Sequence, residues 1–437
     1  MWRYWKNISV QPDCFPVYSS AFPRPKTVAS TAFTPGGFSD TLASGIFHTD
    51  MKLCRIVLAL ASVALMVSCE SPEPEVVYTF SVVNVYVPEG NAPAVFNVAV
   101  KRSGSSLAEH EIDYAFLASG SARAGEDFEV SSGKIIFEKG SANAVIPLTV
   151  SGDGYFELTE DFQMEITDAD RKFTFTLFLN NDDEPEQPAS DADGFITPQT
   201  YPSMDAVWAD EFNGTALNSA DWNTDLGNGC DQGICGWGNN ELESYGADTS
   251  VLKIKDGRMT IRARKVNDSY FSARINTRNK KQFTFGRIDM RARLPKGKGI
   301  WPAFWMLGSS IETNPWPKCG EIDIMELLGD QPAVVHGTVH YDRNGYATST
   351  GSTSLTGTDF SQSFHIFSLV WEQDIIKWYV DNKLFKTFQR TGTGAYPFNE
   401  PFYMLVNVAV GGRWPGNPDS STVFPQTMEV DYIRVFR

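Results

Sequence analysis

Three carboxylates stand close together in the run Cys319 to Gly329, C-G-E-I-D-I-M-E-L-L-G. Ile322, Ile324, Leu327 and Leu328 are strand formers, and Glu321 and Asp323 alternate with them, which predicts a strand with one apolar and one acidic face. Like charges on one face repel, and folding alone gives no reason to keep them there, so their placement points to chemistry. Strict alternation would aim Glu326 at the core. One extra residue, a β-bulge around Ile324 and Met325, returns it to the acidic side. Glu321 and Glu326 are then separated by about 13 Å along the chain, at a strand rise of roughly 3.3 Å per residue. Leaning together, with side chains that reach roughly 3.7 Å each, their carboxyls approach to about 5 to 6 Å, the spacing of a retaining glycosidase. A separation of roughly 6.5 to 9.5 Å would instead leave room for a water and give inversion. On the first geometry Glu321 is the nucleophile and Glu326 the general acid, then base. Asp323, between them, hydrogen-bonds Glu321 and by its charge helps to hold a proton on Glu326. A solvated acidic edge strand is the alternative, but Ile and Met on the other face imply a central strand packed on a core.

The elements that position these acids are strands throughout. A chain of 437 residues predicts two domains, and 42% hydrophobic residues supply a sizeable core. The net charge of −16 argues against nucleic acid and anionic membrane surfaces as partners, and weakly favours a neutral over a sulfated polysaccharide. Residues 201–437 form the longer, aromatic-rich unit. Met259 to Arg264 alternates apolar and charged residues just after Asp256-Gly257, and Val380-Asp381-Asn382-Lys383 joins Ile375–Tyr379 to Leu384–Phe388 as a hairpin. Many such strands and few helical periods predict a sandwich or jelly roll.

Residues 76–183 carry short alternating strands at Tyr78 to Val87, Ala94 to Lys101, Glu111 to Ala115, Lys134 to Phe137, Ala144 to Val150, Asp161 to Ile166 and Phe173 to Leu179. Their spacing predicts an immunoglobulin-like sandwich. Residues 184–200, rich in Pro, Asp and Ala, read as a linker.

Upstream, Met51-Lys52-Leu53-Cys54-Arg55 followed by Ile56 to Val67 has the basic flank and apolar stretch of a secretory signal over residues 51–69. The stretch is too short to span a bilayer as a helix. Ser68-Cys69 resembles a bacterial lipoprotein cleavage site with Cys69 lipidated, although Met66 stands where Leu is usual. Residues 70–75 resemble an acidic surface-lipoprotein tether, and residues 1–50 read as an upstream mis-start without structure. The expected location is the bacterial outer membrane, at the cell surface, with the chain a monomer and the membrane touched only through the lipid. A soluble secreted protein is the alternative. Cys230 and Cys235 share a Gly-rich loop and could bridge in an oxidising compartment, while no second pair supports a zinc site. Cys319 reads as a packing residue.

The motif E-x-D-x-x-E at 321, 323 and 326 resembles the signature of the family 16 glycoside hydrolases, in the bulged form typical of laminarinase-like β-1,3-glucanases. The resemblance continues through W-A-D-E-F-N-G (208–214), G-W-G-N-N-E-L (236–242), S-A-R-I-N-T (272–277), Phe285 to Gly308, H-G-T-V-H-Y (336–341), N-V-A-V-G-G-R-W-P-G (407–416) and Met428 to Phe436. It implies a β-jelly-roll domain over 201–437 and endo-acting, retaining cleavage of β-1,3-glucan without a catalytic cofactor. A mixed-linkage β-1,3-1,4-glucanase, a non-catalytic glucan-binding surface protein and an adhesin are the other readings. The presence of both glutamates disfavours the non-catalytic ones.

The resemblance further implies that Trp316 stacks on the sugar beside the scissile bond and Trp414 at a remoter subsite. Trp301 and Trp305 share a face, and at least one of them is core. Asn240 and Arg274 donate to sugar hydroxyls or serve as strand-end structural residues. His340 reaches Asp323 or Glu326, as a catalytic helper or as a structural histidine. Glu243-Ser244-Tyr245 departs from the Gln and second aromatic more usual there. A structural Ca2+ is implied at the carbonyls of Glu211 and Gly257 with the Asp431 carboxylate. Residues 76–183 resemble the Calx-beta family through A-G-E-D-F, S-G-K-I-I-F-E-K-G, F-E-L-T-E-D-F and N-N-D-D. Calx-beta domains can bind calcium through acidic loops, and Glu89, Asp127, Asp182 and Asp183 are so placed, but they read as solvated loop acids. This domain lacks Trp and reads as a spacer or adhesion module.

Overall fold

The computed structural model describes residues 78–437, apart from 84, 105, 202, 203 and 393. The expectations for the upstream segment, the signal, Cys69 and the tether lie outside the described residues. Its regular secondary structure is almost entirely strand, and the described residues form two β-sandwiches.

In the first sandwich a three-stranded sheet (Thr79–Val83, Ala94–Ser103, Asn143–Val150) faces a five-stranded one. The second sheet runs in the order Tyr86–Pro88, Arg171–Asn180, Glu160–Asp168, His110–Gly120, Ser132–Phe137. Phe116, Phe128, Phe137, Phe162, Ile146 and Leu148 fill the space between. The single strand expected over Tyr78 to Val87 is two. Thr79–Val83 pairs with Ala94–Ser103, whereas Tyr86–Pro88 pairs in parallel with Arg171–Asn180 in the other sheet. The cause is a change of phase. Tyr78 and Phe80 are buried on even positions and Val87 on an odd one, so no one straight strand could bury all three.

In the second sandwich the inner sheet has seven strands, in the order Asn223–Asp225, Arg274–Asn276, Phe402–Val410, Ile300–Gly308, Glu321–Leu327, Val334–Asp342, Tyr346–Ser354. The acid strand therefore lies well inside the sheet, and all seven of its residues are buried. The outer sheet has ten strands, including Gly286–Arg293, His365–Glu372, Ile375–Val380, Lys383–Gln389 and Gln426–Phe436. Alternation sorts side chains cleanly. Phe304, Met306, Met404, Val406 and Val408 enter the core between the sheets, while Trp305, Leu307, Tyr403 and Leu405 form a separate cluster on the opposite face. The expected hairpin turn has left-handed Asp381 and Asn382, and Asp256-Gly257 makes the same kind of turn.

Residues 184–200 connect the sandwiches but are not a free tether. The buried Arg291 guanidinium binds Asp191 at 2.7 Å and the Phe195 carbonyl at 2.6 Å, and Tyr432 Oη accepts from the Thr197 amide at 2.7 Å. Phe156 and Leu158 of the first sandwich pack with Met204, Val370, Tyr379 and Phe436 on the outer sheet of the second. The backbone amide of Thr159 donates to the Glu372 carboxylate.

Beneath this contact lies a fully buried ion pair, Arg287 Nε to Asp289 Oδ1 at 2.8 Å. Tyr201 Oη donates to Asp289 at 2.9 Å, and Arg287 donates to Asn382 Oδ1 at 2.6 Å. The attraction of such a pair only roughly offsets its desolvation, but removing one member strands the other. Asp289→Ala is therefore expected to destabilise the second sandwich by about 3 to 5 kcal/mol. Scanning calorimetry checks this, and an unchanged transition would show that water reaches Arg287.

Candidate active site

The register of the acid strand slips at one place. Against Ile300–Gly308, Trp305 pairs with Asp323 and Phe304 with Met325, skipping Ile324. Against Val334–Asp342, Asp323 pairs with Thr338 and Glu326 with His336, so Ile324 and Met325 together face Gly337. Ile324 and Met325 are consecutive, yet both sit in the core. That is the expected bulge, and it turns Glu326 to the same side as Glu321 and Asp323.

The acids meet almost no solvent: Glu321 is 0%, Asp323 1% and Glu326 6% exposed. Burial, aided by the charge of Asp323, pushes Glu321 and Glu326 up to about 8. Burial likewise raises Asp323, against the pull of Lys386 and a hydrogen bond shared with Glu321. His340 Nε2 stands 3.1 Å from Asp323 Oδ2 and 3.7 Å from Glu321 Oε1, and its Nδ1 is 2.7 Å from Tyr346 Oη. Trp301 Nε1 donates to Glu326 Oε1 at 3.1 Å, favouring the charged form of that group against its burial.

Aromatic side chains gather on both flanks. Trp316 lies against Tyr346 at 5.5 Å between ring centroids and against His340 at 6.3 Å. Trp414, 42% exposed, meets Trp301 edge-on at 5.6 Å and His336 at 5.1 Å. Trp301 and Trp305 both line the cleft, along with Asp323, Glu326, Arg274 and Asn407. Arg274 is held by Asp225 at 2.9 Å and lies over the rings of Trp237 and Trp305 at 4.7 and 4.9 Å.

Asn240 is exposed, with a left-handed φ of 60°, and does not line this hollow; its neighbour Asn239 does. The disulfide between Cys230 and Cys235 closes the loop that leads here, and Gly236 and Trp237 just after it are also left-handed. Asn239, rather than the Asn240 implied by the resemblance, therefore turns inward.

Sequence reasoning missed a second polar network at this end. Asn239 Nδ2 and Tyr245 Oη donate to Glu241 at 3.1 and 3.2 Å, Asn407 Nδ2 donates to Tyr245 Oη at 3.2 Å, and Trp305 Nε1 donates to Asn407 Oδ1 at 2.8 Å. Glu243 is fully buried and accepts from the Val410 amide at 2.6 Å. Burial and the charge of Glu241 push Glu243 well above the carboxylate range. The signals were present in the sequence: Glu243 breaks the resemblance, and Asn407 interrupts an apolar strand.

Of the groups expected to hold Ca2+, the Asp431 carboxylate is already engaged. The Asp431 carboxylate pairs with Arg291 at 2.5 Å and lies 3.7 Å from Arg258, so a cation there would have to displace guanidinium groups. In the first sandwich the solvated acids expected divide: Asp182 is exposed and Asp183 half-buried, whereas Glu89 and Asp127 are buried. Asp182 and Asp183 accept from Gly90 N and Asn91, while Glu89 and Asp127 gather with Asp153, Glu157 and Glu160. Burial and neighbouring charge raise Glu89 to about 8 and Glu160 to about 10, and Glu160 Oε2 is buried without a hydrogen-bond partner. That oxygen-only donor set, with one oxygen unpartnered, fits a hard divalent cation.

Residues 237–434 match the model of the glycosyl hydrolases family 16, and residues 73–192 match that of the Calx-beta domain. The Beta-glucanase of Rhodothermus marinus is 38% identical over 252 residues, covering 54% of this chain and 86% of that protein. The Glucan endo-1,3-beta-glucosidase of Cryptopygus antarcticus is 39% identical over 253 residues, covering 52% of this chain and 90% of that one. The Glucan endo-1,3-beta-glucosidase A1 of Niallia circulans is 37% identical over 298 residues, 61% of this chain, and the match spans only 43% of that relative's length. With nearly the full length of two such relatives matched within it, this chain belongs to the glycosyl hydrolases family 16.

Proposed function

We propose that the second sandwich is an endo-acting, retaining hydrolase of β-1,3-glucan of the laminarin type. The observation that carries this reading is the slip at Ile324, which sets Glu321, Asp323 and Glu326 together on the cleft face between two aromatic groups, Trp316 with Tyr346 and Trp301 with Trp414. The relatives from Cryptopygus and Niallia, both named as endo-1,3-beta-glucosidases, support the linkage.

In the proposed reaction the Glu321 carboxylate attacks the anomeric carbon as the bond to the leaving sugar breaks, and Glu326 gives that sugar's oxygen its proton. Water then attacks the glycosyl-Glu321 ester, Glu326 takes the water's proton, and Glu321 is released. Crowding three buried acids suits these roles. Full ionisation is disfavoured, so Glu326 holds its proton at neutral pH, while His340 close to Asp323 and Glu321 eases the remaining negative charge.

We propose that the chain acts outside the cytoplasm as a monomer, lipid-anchored to the bacterial outer membrane through Cys69. The Cys230–Cys235 bridge supports export. In the first sandwich, the cation proposed for Glu89, Asp127, Asp153, Glu157 and Glu160 is structural, neutralising their mutual repulsion.

Glu321→Ser is expected to lower laminarin hydrolysis by at least about 10⁴-fold while glucan binding persists. Equal turnover by variant and parent would remove the nucleophile assignment, and comparing laminarin with lichenan decides between β-1,3 and mixed-linkage preference. The same variant should melt higher than the parent at pH 8, with the gain shrinking by pH 5. A folded pKa raised above the unfolded value means that stability is lost as pH rises through it, and the substitution removes that loss.

Trp301→Phe removes the N–H that favours the charged form of Glu326. The alkaline limb of kcat/KM, set by loss of the acid's proton near pH 8, should move up by about one pH unit. A limb that stays in place would assign it to another group. Millimolar Ca2+ should raise the melting temperature of the first sandwich, and Glu160→Gln should abolish the rise. A rise of the same size in the variant would count against that site.

A further inference from the structure

A buried tryptophan from the opposite sheet reaches the bulge itself. Trp378, on the outer strand Ile375–Val380, is fully buried, and its Nε1 donates to the backbone carbonyl of Asp323 at 2.8 Å. That carbonyl belongs to the peptide directly ahead of the extra residue Ile324. A bulge interrupts the ladder locally, so the orientation of this peptide is less constrained by strand pairing than that of its neighbours.

The inner sheet is shaped to admit this ring. Gly337, the residue facing Ile324 and Met325 across the slip, pairs with Gly351 on the next strand. A Cβ on Gly337 would stand 2.5 Å from Trp378 Cδ1, and one on Gly351 would stand 2.9 Å from the Lys386 stem. Two facing glycines thus open a pit in the core side of the sheet. Lys386, paired with Trp378 across the outer strands, places its Nζ 3.6 Å from the centre of the indole ring. The outer sheet has its own register slip here, between Trp378 and Tyr379. Two irregular places in facing sheets are therefore joined through one side chain.

We infer that Trp378 is a positioning residue: its N–H, admitted through Gly337, fixes the Asp323–Ile324 peptide and so sets where Glu326 stands relative to Glu321. Trp378 faces the core and touches no substrate; it acts on the reaction through the bulge. This inference rests on the proposed acid role of Glu326. A misplacement of about 1 Å at a reacting group can cost on the order of a hundredfold, so one hydrogen bond at this peptide has leverage.

The test compares two substrates in the full chain: laminarin, whose poor leaving group needs the acid, and a dinitrophenyl laminaribioside, whose leaving group does not. Glu326→Gln serves as the control, read in kcat/KM because Glu326 is also the base of the second step, and if it spares neither substrate the acid assignment itself fails, separately from Trp378. Trp378→Phe keeps the ring packing and loses the donor. Its kcat on laminarin is expected to fall on the order of tenfold, with KM within about twofold and less than about a threefold loss on the aryl substrate. Should Trp378→Phe fail to fold, a chain carrying β-(3-benzothienyl)alanine at 378, with sulfur in place of N–H in nearly the same shape, is read in the same way. Unchanged kcat on both substrates overturns the inference. Equal losses on both also overturn it, because a general loosening of the core does not single out the acid step.

Discussion

Every feature of the catalytic sandwich answers to one constraint: a strand deep within a sheet must be apolar toward the core and acidic toward the cleft with acids at unequal spacing. The bulge resolves it. Ile324 and Met325 both enter the core, and Glu326 is released to the other side. The cost is electrostatic. Burial raises the pKa of all three carboxylates, with the charge of Asp323 adding to the rise of Glu321 and Glu326, and above the unfolded carboxylate range each opposes folding increasingly as pH rises toward about 8. The two-sheet core, continuous from Phe304 and Met306 through Trp371 and Trp378, supplies the opposing stabilisation.

How much of this could be read from residues alone depended on range. Alternation is local, and it placed the acids, the bulge and the hairpin at Asp381-Asn382, whose left-handed residues the turn requires. Across the first sandwich it placed the strands but missed the change of sheet before Tyr86, where the phase of the pattern reverses. What could not be read was assembled from a distance. Glu241, Tyr245, Asn407 and Trp305 come from separate stretches, and only the folded sheet connects them. The fate of Asp431 shows the same limit. A lone acid in an apolar strand needs a partner, and whether that partner is a cation or Arg291 depends on a residue on a neighbouring strand.

The two faces of the catalytic sandwich carry different obligations. The inner sheet exposes a polar cleft. The outer sheet is covered in part by the first sandwich, and the buried Arg287–Asp289 pair lies under Tyr201 with the Phe156 ring 5.7 Å from the guanidinium carbon. An ion pair with no exposure depends on hydrogen bonds to its remaining polar atoms. Asn382 and Tyr201 provide two of these while Arg287 Nη1 is left without one, and Asn382 Nδ2 in turn donates to the Glu186 carbonyl of the connecting segment at 2.5 Å. The turn that closes an outer hairpin and the chain entering the catalytic domain are thus tied at one side chain.

Charge in the cleft bears on which polymer fits the proposed reaction. Glu241 and Glu243 stand at one end, the three acids lie at the centre, and Arg274 is already bound by Asp225. A sulfated sugar would place its anions in a low-dielectric groove beside carboxylates, with this guanidinium already engaged. A neutral glucan meets no such repulsion. Its ring faces suit Trp301 and Trp414, and its hydroxyls can exchange hydrogen bonds with Asn239, Glu241 and Asn407. Asp323, whose charge adds to burial in raising the pKa of Glu326, also disfavours an anion in the groove, so in the proposed reaction proton retention and the exclusion of charged chains share one buried carboxylate.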